Sequence, residues 1–326
     1  MGLFERFWRA AAPLSRRAVS RGAAREELFD EEFQRKLEYL ALVSKRVFTG
    51  AMKAERRTKK TGSGVEFADH RDYAPGDDFR YLDWNAYQRF DRLLVRLFEE
   101  EEDLAIYFIV DNSHSMAFGG GVSGDGGPGV GKKLRYGKQL AAALAYVGLA
   151  NLDRISIVTA GASLTGRMEP TRNKRRIFRV FEFLRRIDAE GDTDLGAAMR
   201  TFVAQHKRRG LAVLISDLYD PAGFEQGINV LRYNKFEPFV LHVVDPRDAR
   251  PELRGDVVIY DCETGDEREV TVTDKVLSRY ADAYDKYLAR VQRFCVKKQV
   301  SYFLADVDVP FDELILRVFR RGGFLR

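Results

Sequence analysis

Apolar runs and amphipathic segments alternate along the chain after about residue 104. The runs have the length and continuity of strands that are buried on both faces of a sheet, and the segments between them repeat their apolar residues at helical spacing. The predicted strands are LAIYFIVD, RISIVTAG, LAVLISD, FVLHVVD and SYFLAD. The predicted helices lie at about residues 133–151, 173–187, 195–208, 222–234, 274–298 and 310–320. This alternation predicts an α/β domain with a doubly wound, mostly parallel sheet.

One segment departs from that alternation. DVVIYDCETGDEREVTVTD contains two strand-like runs that are joined at Thr264 to Asp266 without a helix between them. Two short runs across a polar turn predict a β-hairpin, which is here an insertion into the α/β domain.

The earlier part of the chain predicts two further regions. Residues 1–25 are rich in arginine and predict a basic, flexible tail, and residues 26–100 predict a smaller helical and β subdomain. The α/β domain then occupies residues 101–326. Within the subdomain we expect a helix from about Glu26 to Ala54, followed by short strands and turns from about Val65 to Glu100. The helix is indicated by apolar residues at helical spacing, which are Phe29, Phe33, Leu37, Leu40 and Val47.

The composition narrows the class of protein. The chain has 326 residues, 45% of them hydrophobic, which is enough for a large core, and its longest apolar run is too short to cross a bilayer. We therefore expect a cytoplasmic protein. Its two cysteines, Cys262 and Cys295, have neither metal-ligand nor disulfide spacing and are expected to be packed thiols.

Much of the net charge of +5 comes from basic clusters early in the chain. Such clusters can hold phosphates, so a basic nucleic-acid-binding protein is one alternative. No aromatic residues interleave with these clusters as stacking platforms, and a solvated tail is therefore favoured. The apolar residues of MGLFERFWRAAAPL also allow a weak contact with a membrane surface.

Polar side chains follow the predicted strands at the edge where the carboxyl ends of parallel strands meet. Asp111 ends the first strand and is followed at alternate positions by Ser113 and Ser115. Asp217 ends LAVLISD, and Thr193 lies in a loop just before a helix. Each residue alone can be a turn or helix-cap residue, but together they supply two carboxylates and three hydroxyls, which suit Mg²⁺ or Mn²⁺. The sequence therefore predicts a metal site at this edge.

A site of this kind favours binding over catalysis. Only two ligands carry a negative charge, so the ion stays electrophilic and can accept a carboxylate from another protein. A hydrolytic metal also needs a general base near its bound water, and no histidine has a recognisable pairing with a nucleophile. The adjacent Asp77 and Asp78 are expected to form ion pairs with Arg71 and Arg80 that tie the smaller subdomain to the sheet domain, and not to act as acid and base. We therefore expect a protein-binding function and not an enzyme.

A glycine-rich segment offers an enzymatic alternative. Gly126, Gly131 and Lys132 satisfy the first part of a phosphate-binding GxxxxGK loop before a helix. However, Lys133 stands where that loop needs Ser or Thr for magnesium, and the preceding strand ends at Asp111, well before the glycines. A flexible linker is therefore favoured over a P-loop-like nucleotide hydrolase.

Two stretches carry a resemblance to known families. DNSHSM, the threonine of GDTDL and the aspartate of LISDL resemble the metal-ion-dependent adhesion site of von Willebrand factor A domains. This resemblance implies that fold type, with Asp111, Ser113, Ser115, Thr193 and Asp217 as ligands. Upstream, GVEFADHRDYAPGDDFRYLDWNAYQRFDRLLVRLFEEEED is similar to the signature of a bacterial family with this fold, domain of unknown function fifty-eight. The residues that carry this second match are Glu66, Phe67, Arg71, Tyr73, Gly76, Asp77, Asp78, Arg80, Asp83 and Trp84.

The second resemblance also implies a partner. It extends over nearly everything after about residue 35, and such proteins resemble adaptors encoded beside MoxR-type AAA+ ATPases. This implies a role in the ATPase-assisted maturation or assembly of other proteins. The ATPase or its client would present an acidic residue that completes the metal site.

Overall fold

The computed structural model describes residues 28–51, 57–61, 66–101, 105–117, 131–251, 253–260 and 267–320. The described residues form two compact units. The larger unit contains residues 28–42 and those from Ala105 onward, and the smaller unit contains residues 43–101. The first part of the N-terminal helix therefore belongs with the α/β domain, whereas the sequence grouped residues 26–100 together. The predicted tail of residues 1–25 lies outside the described residues.

The strands of the described residues fall into three sheets. The sheet of the smaller unit consists of β1 Arg57–Thr61, β2 Glu66–Asp72 and β3 Leu94–Glu101. The central sheet of the larger unit consists of β4 Ala105–Asp111, β5 Arg154–Ala160, β6 Leu164–Thr171, β7 Leu211–Ser216, β8 Glu237–Val244 and β11 Ser301–Asp306. The remaining pair consists of β9 Gly255–Tyr260 and β10 Glu267–Val272.

The helices follow the predicted order closely. Among the described residues they are α1 Glu31–Ala51, α2 Trp84–Phe90, α3 His114–Ala117, α4 Lys132–Ala150, α5 Ile177–Arg185, α6 Leu195–Gln205, α7 Phe224–Tyr233, α8 Pro246–Ala249, α9 Asp274–Lys297 and α10 Phe311–Arg320. Single 3₁₀ turns cover Phe79–Tyr81 and Lys174–Arg176.

The strand order of the central sheet is β11-β8-β7-β4-β5-β6. The first five strands are parallel to their neighbours and β6 is antiparallel to β5. The predicted mostly parallel sheet is confirmed, together with all five of its predicted strands. The sequence did not predict β6, because this edge strand has many exposed positions and no continuous apolar run.

Helices cover both faces of the central sheet, as the alternating pattern predicts. Successive residues of β4 point to opposite faces, and every residue of this strand is buried. On one face, Tyr107 meets Phe202 of α6 with ring centroids 5.3 Å apart. On the other face α4 lies so close that a Cβ at Gly148 would come within 2.7 Å of Ile155 Cδ1 and 3.4 Å of Ile106 Cδ1. The continuous apolar runs are therefore explained by burial on both sides.

The start of α1 packs on the larger unit through aromatic residues. Asp30 Oδ1 caps the helix by accepting a hydrogen bond from Phe33 N at 2.7 Å. Phe29 stacks on Phe181 of α5, and Phe33 meets Phe311 of α10, each with ring centroids 4.6 Å apart. Phe29 and Phe33, two of the apolar residues that predicted this helix, thus contact helices of the α/β domain.

In the smaller unit, β3 lies between β1 and β2 and is antiparallel to both. Helix α2 was not predicted, since the sequence indicated only strands and turns in this region. It begins after Asp83, whose side chain accepts hydrogen bonds from Asn85 N at 3.0 Å and Ala86 N at 3.1 Å. A seven-residue helix defined by its cap carries too little apolar periodicity to be found by spacing.

The predicted ion pairs form, but all four residues belong to the smaller unit, so these pairs do not tie it to the sheet domain as the sequence predicted. Arg71 Nη2 lies 2.8 Å from Asp77 Oδ1, and Arg80 Nη2 lies 2.6 Å from Asp78 Oδ2. The guanidinium of each arginine lowers the pKa of the aspartate with which it pairs. These four side chains therefore stay charged and order the turns on which they lie.

The predicted hairpin insertion is confirmed by the antiparallel pairing of β9 and β10, in which Val257 pairs with Val270. The residues that join the two strands, 261–266, lie outside the described residues and include Cys262. Cys295 is fully buried, as expected of a packed thiol. None of the described helices has the length and apolar character that a membrane span requires.

Candidate metal centre

The carboxyl ends of neighbouring strands bring polar residues together at one edge of the central sheet. Val110 of β4 pairs with Ile215 of β7, so Asp111 and Ser216 end adjacent strands, and Asp217 follows directly. Asp111, Ser216 and Asp217 all have a relative exposure of 0%. The parallel register therefore places two carboxylates and a hydroxyl in the interior of this edge.

A series of hydrogen bonds links four of the five predicted ligands. Ser113 N donates to Asp111 Oδ1 at 2.9 Å, and the hydroxyls of Ser113 and Ser115 lie 3.0 Å apart. Ser115 Oγ donates to Asp217 Oδ1 at 3.1 Å. The two serines are buried, like the aspartates. We call Asp111, Ser113, Ser115 and Asp217 the sheet-edge cluster.

The fifth predicted ligand, Thr193, lies in a loop beside this cluster and is buried. Glu190 N donates to Asn112 O at 2.7 Å, and His114 N donates to Gly191 O at 3.1 Å, so the loop follows the turn after β4. Gly191 N donates in return to His114 Nε2 at 3.2 Å. The histidine between the two serines is therefore exposed and bonded to the loop, away from the hydroxyls.

The cap of α6 is Asp194 and not Thr193, which the sequence had offered as a turn or helix-cap residue. Asp194 Oδ1 accepts a hydrogen bond from Ala197 N at 2.7 Å. The helix start thus does not require the threonine side chain.

Ser216 is part of this edge although the sequence did not single it out. Its hydroxyl donates to Asp111 Oδ2 at 2.5 Å and accepts from Leu218 N at 2.8 Å. Burial and the negative charge of Asp217 together raise the pKa of Asp111 to about 6, although the hydrogen bonds from Ser216 and Ser113 act in the opposite direction. The two ligand carboxylates therefore repel each other, which is a condition that a bound cation relieves.

Lys133 of α4 is the main residue that sequence reasoning missed. Its ammonium lies 2.8 Å from Asp217 Oδ2 and 3.1 Å from Asp248 Oδ2, with a side-chain exposure of 1%. Burial alone would lower the pKa of Lys133, but the charges of Asp217 and Asp248 raise it above its ordinary value. Burial likewise raises the pKa of Asp248 to about 6, although the lysine charge acts in the opposite direction. A charged lysine therefore belongs to the interior of this edge.

The signal that could have identified Lys133 was a stripe of residues at helical spacing along α4. Lys133, Gly137, Leu140 and Leu144 follow one another at steps of three and four and are all buried, whereas Lys132 is exposed. A lysine that continues an apolar stripe must either leave the interior or find a buried partner, which for Lys133 is a pair of acids. Asp217 was predicted as a ligand but not as a partner of Lys133, and Asp248 was not singled out, because both acids lie after other strands, far along the chain.

A model of the family described as "Protein of unknown function DUF58" matches residues 69–290, well over half of the chain. The chain belongs to the DUF58 family. The matched residues include most of the smaller unit described above and the whole sheet-edge cluster with Lys133 and Asp248.

Two relatives of this DUF58 protein are named only as uncharacterized proteins. Proteins of Mycobacterium bovis and Mycobacterium tuberculosis are each 27% identical over 309 residues, which cover 92% of this chain and 94% of the relative. Among solved structures, the conserved hypothetical protein BatB from Bacteroides thetaiotaomicron is 13% identical with a TM-score of 0.38. That alignment covers 67% of this chain and 99% of the other.

The DUF58 sheet-edge cluster suits a small divalent cation by the chemistry of its donors. The two carboxylate oxygens of Asp217 have different partners, since Oδ1 accepts from the hydroxyl of Ser115 and Oδ2 accepts from the ammonium of Lys133. One carboxylate oxygen from each aspartate therefore lies with the serine hydroxyls, a set of hard oxygen donors that Mg²⁺ prefers. Among the described residues no group of three or more His, Cys, Asp or Glu side chains is arranged for a metal, so hydroxyls are essential to this candidate.

His242 lies behind this edge in the core, and both nitrogens of its imidazole have hydrogen-bond partners. Its Nε2 donates to Asp217 O at 3.0 Å, which leaves Nδ1 to accept from the Tyr302 hydroxyl at 3.0 Å. Burial lowers the pKa of His242 to about 4. The imidazole is therefore neutral and positions the backbone that carries Asp217.

The phosphate-loop residues are arranged for packing where they are described. Gly126 lies outside the described residues. Gly131 directly precedes α4 and lies so close to the end of α3 that a Cβ at this position would come within 2.0 Å of Ala117 O. Lys132 is exposed and lies 3.9 Å from Asp308 Oδ1. Close packing against Ala117 accounts for the glycine at position 131.

Proposed function

We propose that this DUF58 protein is a magnesium-dependent protein-binding adaptor with a metal site of von Willebrand factor A type. The ligands would be Asp111, Ser113, Ser115, Thr193 and Asp217, with Mn²⁺ as an alternative ion. The observation that carries the proposal is the hydrogen-bonded convergence of two buried carboxylates and two hydroxyls at the carboxyl edge of the sheet. When bound, the ion would supply an electrophilic position for an acidic side chain.

The partner that we propose is a MoxR-type AAA+ ATPase or its client, which presents an aspartate or glutamate to the site. Charge attraction would fix the orientation of that side chain, while the surrounding surface would set specificity. The adaptor would work in the cytoplasm in the maturation or assembly of other proteins. The proposed partner and role are those that the resemblance of the sequence to such adaptors implies.

Binding is a better proposal than catalysis because the basic groups around the cluster are engaged. The imidazole of His242 bonds Asp217 O and the Tyr302 hydroxyl, and the Lys133 ammonium bonds Asp217 and Asp248. A general base must be within reach of the proton that it removes, and neither group has a lone pair to offer here. The same ion pairs of Lys133 argue against a phosphate-binding role for this part of α4.

Calorimetric titration with Mg²⁺ and Mn²⁺ tests the metal site. We expect wild type to bind one divalent ion per chain and Asp111→Ala to bind none, with the fold retained by circular dichroism. Removing Asp111 also removes its repulsion with Asp217, which offsets the lost contacts. Asp306→Ala is the matched control, since Asp306 ends β11 at the same edge and caps its own turn by accepting from Asp308 N. Equal metal affinity in wild type and Asp111→Ala would contradict the proposal.

A binding assay with the MoxR-type ATPase of the same organism tests the proposed partner. The complex should weaken sharply in EDTA, recover with Mg²⁺, and be lost in Asp111→Ala and Ser113→Ala but not in Asp306→Ala. A complex that forms equally well without a divalent ion would move the binding surface elsewhere. ATP turnover by the purified protein would favour a nucleotide hydrolase, and salt-sensitive binding of DNA or RNA would favour a nucleic-acid-binding protein.

A further inference from the structure

Lys133 has no role in the ligand set just proposed, yet it contacts one of its members. Its ammonium contacts Asp217 Oδ2 and Asp248 Oδ2 and lies 5.1 Å from the centre of the Tyr219 ring. These partners follow β7 or belong to α8, whereas Lys133 belongs to the first turn of α4. A buried cation thus joins three separate elements at the proposed metal site.

We propose that Lys133 is an internal counter-ion of the site, which keeps the acidic residues folded without a divalent ion and limits the affinity for Mg²⁺ or Mn²⁺. This inference rests on the proposed function, because it concerns the same ligands. It assigns to Lys133 a positioning role, since the lysine holds Asp217 by one oxygen and leaves the other to the hydroxyls.

The charges at this edge explain the inference. Asp111, Asp217 and Asp248 are all buried, and with Lys133 they sum to three negative charges and one positive charge. Buried carboxylates without a cation repel one another and lose the solvation that they have in the unfolded chain. A resident ammonium removes part of this penalty, so the fold does not depend on metal, but it also repels an arriving divalent ion.

Replacement of the lysine separates these two effects. In Lys133→Met, a side chain of similar length carries no charge, so a divalent ion becomes the counter-ion of the cluster. We expect calorimetry to show Mn²⁺ binding tightened by about tenfold or more. We also expect Mn²⁺ to raise the melting temperature of Lys133→Met more than that of wild type, and EDTA to lower it more. Equal or weaker Mn²⁺ binding by a folded Lys133→Met would overturn the inference.

Two further variants serve as controls. Lys132→Met makes the same chemical change on the same helical turn, but Lys132 is exposed and 3.9 Å from Asp308, so Mn²⁺ binding should be unchanged. Lys133→Met combined with Asp248→Asn restores the net charge of the cluster without the ammonium. Its Mn²⁺ affinity should lie between those of Lys133→Met and wild type, because Asp248 contacts the lysine and not the proposed ligands.

The outcomes distinguish this inference from the proposed function. If wild type binds no Mn²⁺ but Lys133→Met does, the lysine is the counter-ion and the metal-dependent adaptor fails. If wild type binds Mn²⁺ and Lys133→Met binds it no better, the adaptor stands and this inference fails. If neither wild type nor Lys133→Met binds Mn²⁺, both the adaptor proposal and this inference fail.

The folding of Lys133→Met gives further outcomes. If Lys133→Met folds only with Mn²⁺, the inference is supported. If it folds neither with nor without Mn²⁺, the double variant decides. A melting temperature of the double variant that Mn²⁺ raises more than in wild type supports the inference, and an equal response overturns it.

Discussion

The sheet edge and the smaller unit use similar ion pairs in opposite surroundings. At the sheet edge, the side chains of Lys133 and Asp217 are 1% and 0% exposed, and their charged atoms are 2.8 Å apart. In the smaller unit, the side chains of Arg80 and Asp78 are 80% and 41% exposed, at a distance of 2.6 Å. Solvent screens the exposed pair and can replace a lost partner, but no such replacement exists in the interior. Burial, and not distance, therefore decides what an ion pair contributes to stability.

The two regions also differ in what defines their local structure. The larger unit has an extensive apolar core between its sheet and helices. The smaller unit buries Leu82, Ala86 and Val95 but exposes large aromatic side chains, which are Phe67, Phe79, Trp84 and Phe90. Hydrogen bonds of caps and turns are therefore a larger share of what orders its residues.

Loss of the buried partner should have the largest effect on stability. We expect Asp217→Asn to lower the free energy of unfolding by about 3 kcal/mol in EDTA, because Lys133 keeps its charge in the interior and retains only Asp248 as an acidic partner. Urea denaturation followed by far-UV circular dichroism measures this change. Asp306→Asn is the control at the same edge, and a loss no greater than in that control would contradict the comparison.

Acidification should destabilise the interior through His242. The pKa of this residue is lowered to about 4 by burial, whereas an unfolded histidine titrates near 6.5, so the unfolded chain binds more protons between these values. The stability that depends on a neutral His242 is thus complete above about pH 6.5 and is lost as the pH falls towards 4. We expect a loss of about 2 kcal/mol between pH 7 and pH 5.

The measurement is the difference in unfolding free energy between wild type and His242→Gln at each pH. Glutamine can still donate to Asp217 O but does not titrate, so this difference should shrink on acidification. His70→Gln in the smaller unit is the control, because it removes an exposed histidine, which bonds Asp83 Oδ2 at 2.9 Å. A difference for His242→Gln that stays constant from pH 7 to pH 5 would show that burial of this imidazole does not resist protonation.

A cap of the smaller unit should have an intermediate effect. Asp83→Ala removes the acceptor of two backbone N–H groups at the start of α2 and should destabilise this unit by about 1 kcal/mol. Trp84 is the first residue of that helix, so its fluorescence in a Trp8→Phe background reports on the unit directly. Asp72→Ala, which loses only an exposed pair with Arg92, is the control. Unchanged denaturation of Asp83→Ala would mean that the cap does not limit the stability of α2.

The exposed ion pair should have the smallest effect. Arg80→Gln should leave the denaturation curve within error of wild type, since solvent replaces the contact with Asp78. The Trp84 fluorescence assay detects any change. A loss comparable to that of Asp83→Ala would show that this exposed pair is coupled to the rest of the turn.

Local pattern and topology could be predicted for much of this molecule. The strands β4, β5, β7, β8 and β11 were evident because burial on both faces requires continuous apolar runs. Parallel strands end at one edge, so the order of Asp111, Ser113, Ser115 and Asp217 along the chain was enough to expect them together. Edge strand β6 was not predicted because it is largely exposed, and helix α2 was not predicted because it is defined by its cap.

The charge balance of the site was decided by tertiary structure. In the sequence, Lys133 is one of two adjacent lysines before a helix, and Asp248 lies in a polar segment after β8. Nothing in their spacing along the chain relates them to Asp217. A buried lysine needs partners around its ammonium, and the acids that pair with Lys133 come from elements that meet only in the folded protein. The apolar pattern thus determined the frame of the sheet edge, while the packing of α4 against the ends of β7 and β8 determined which cation lies there.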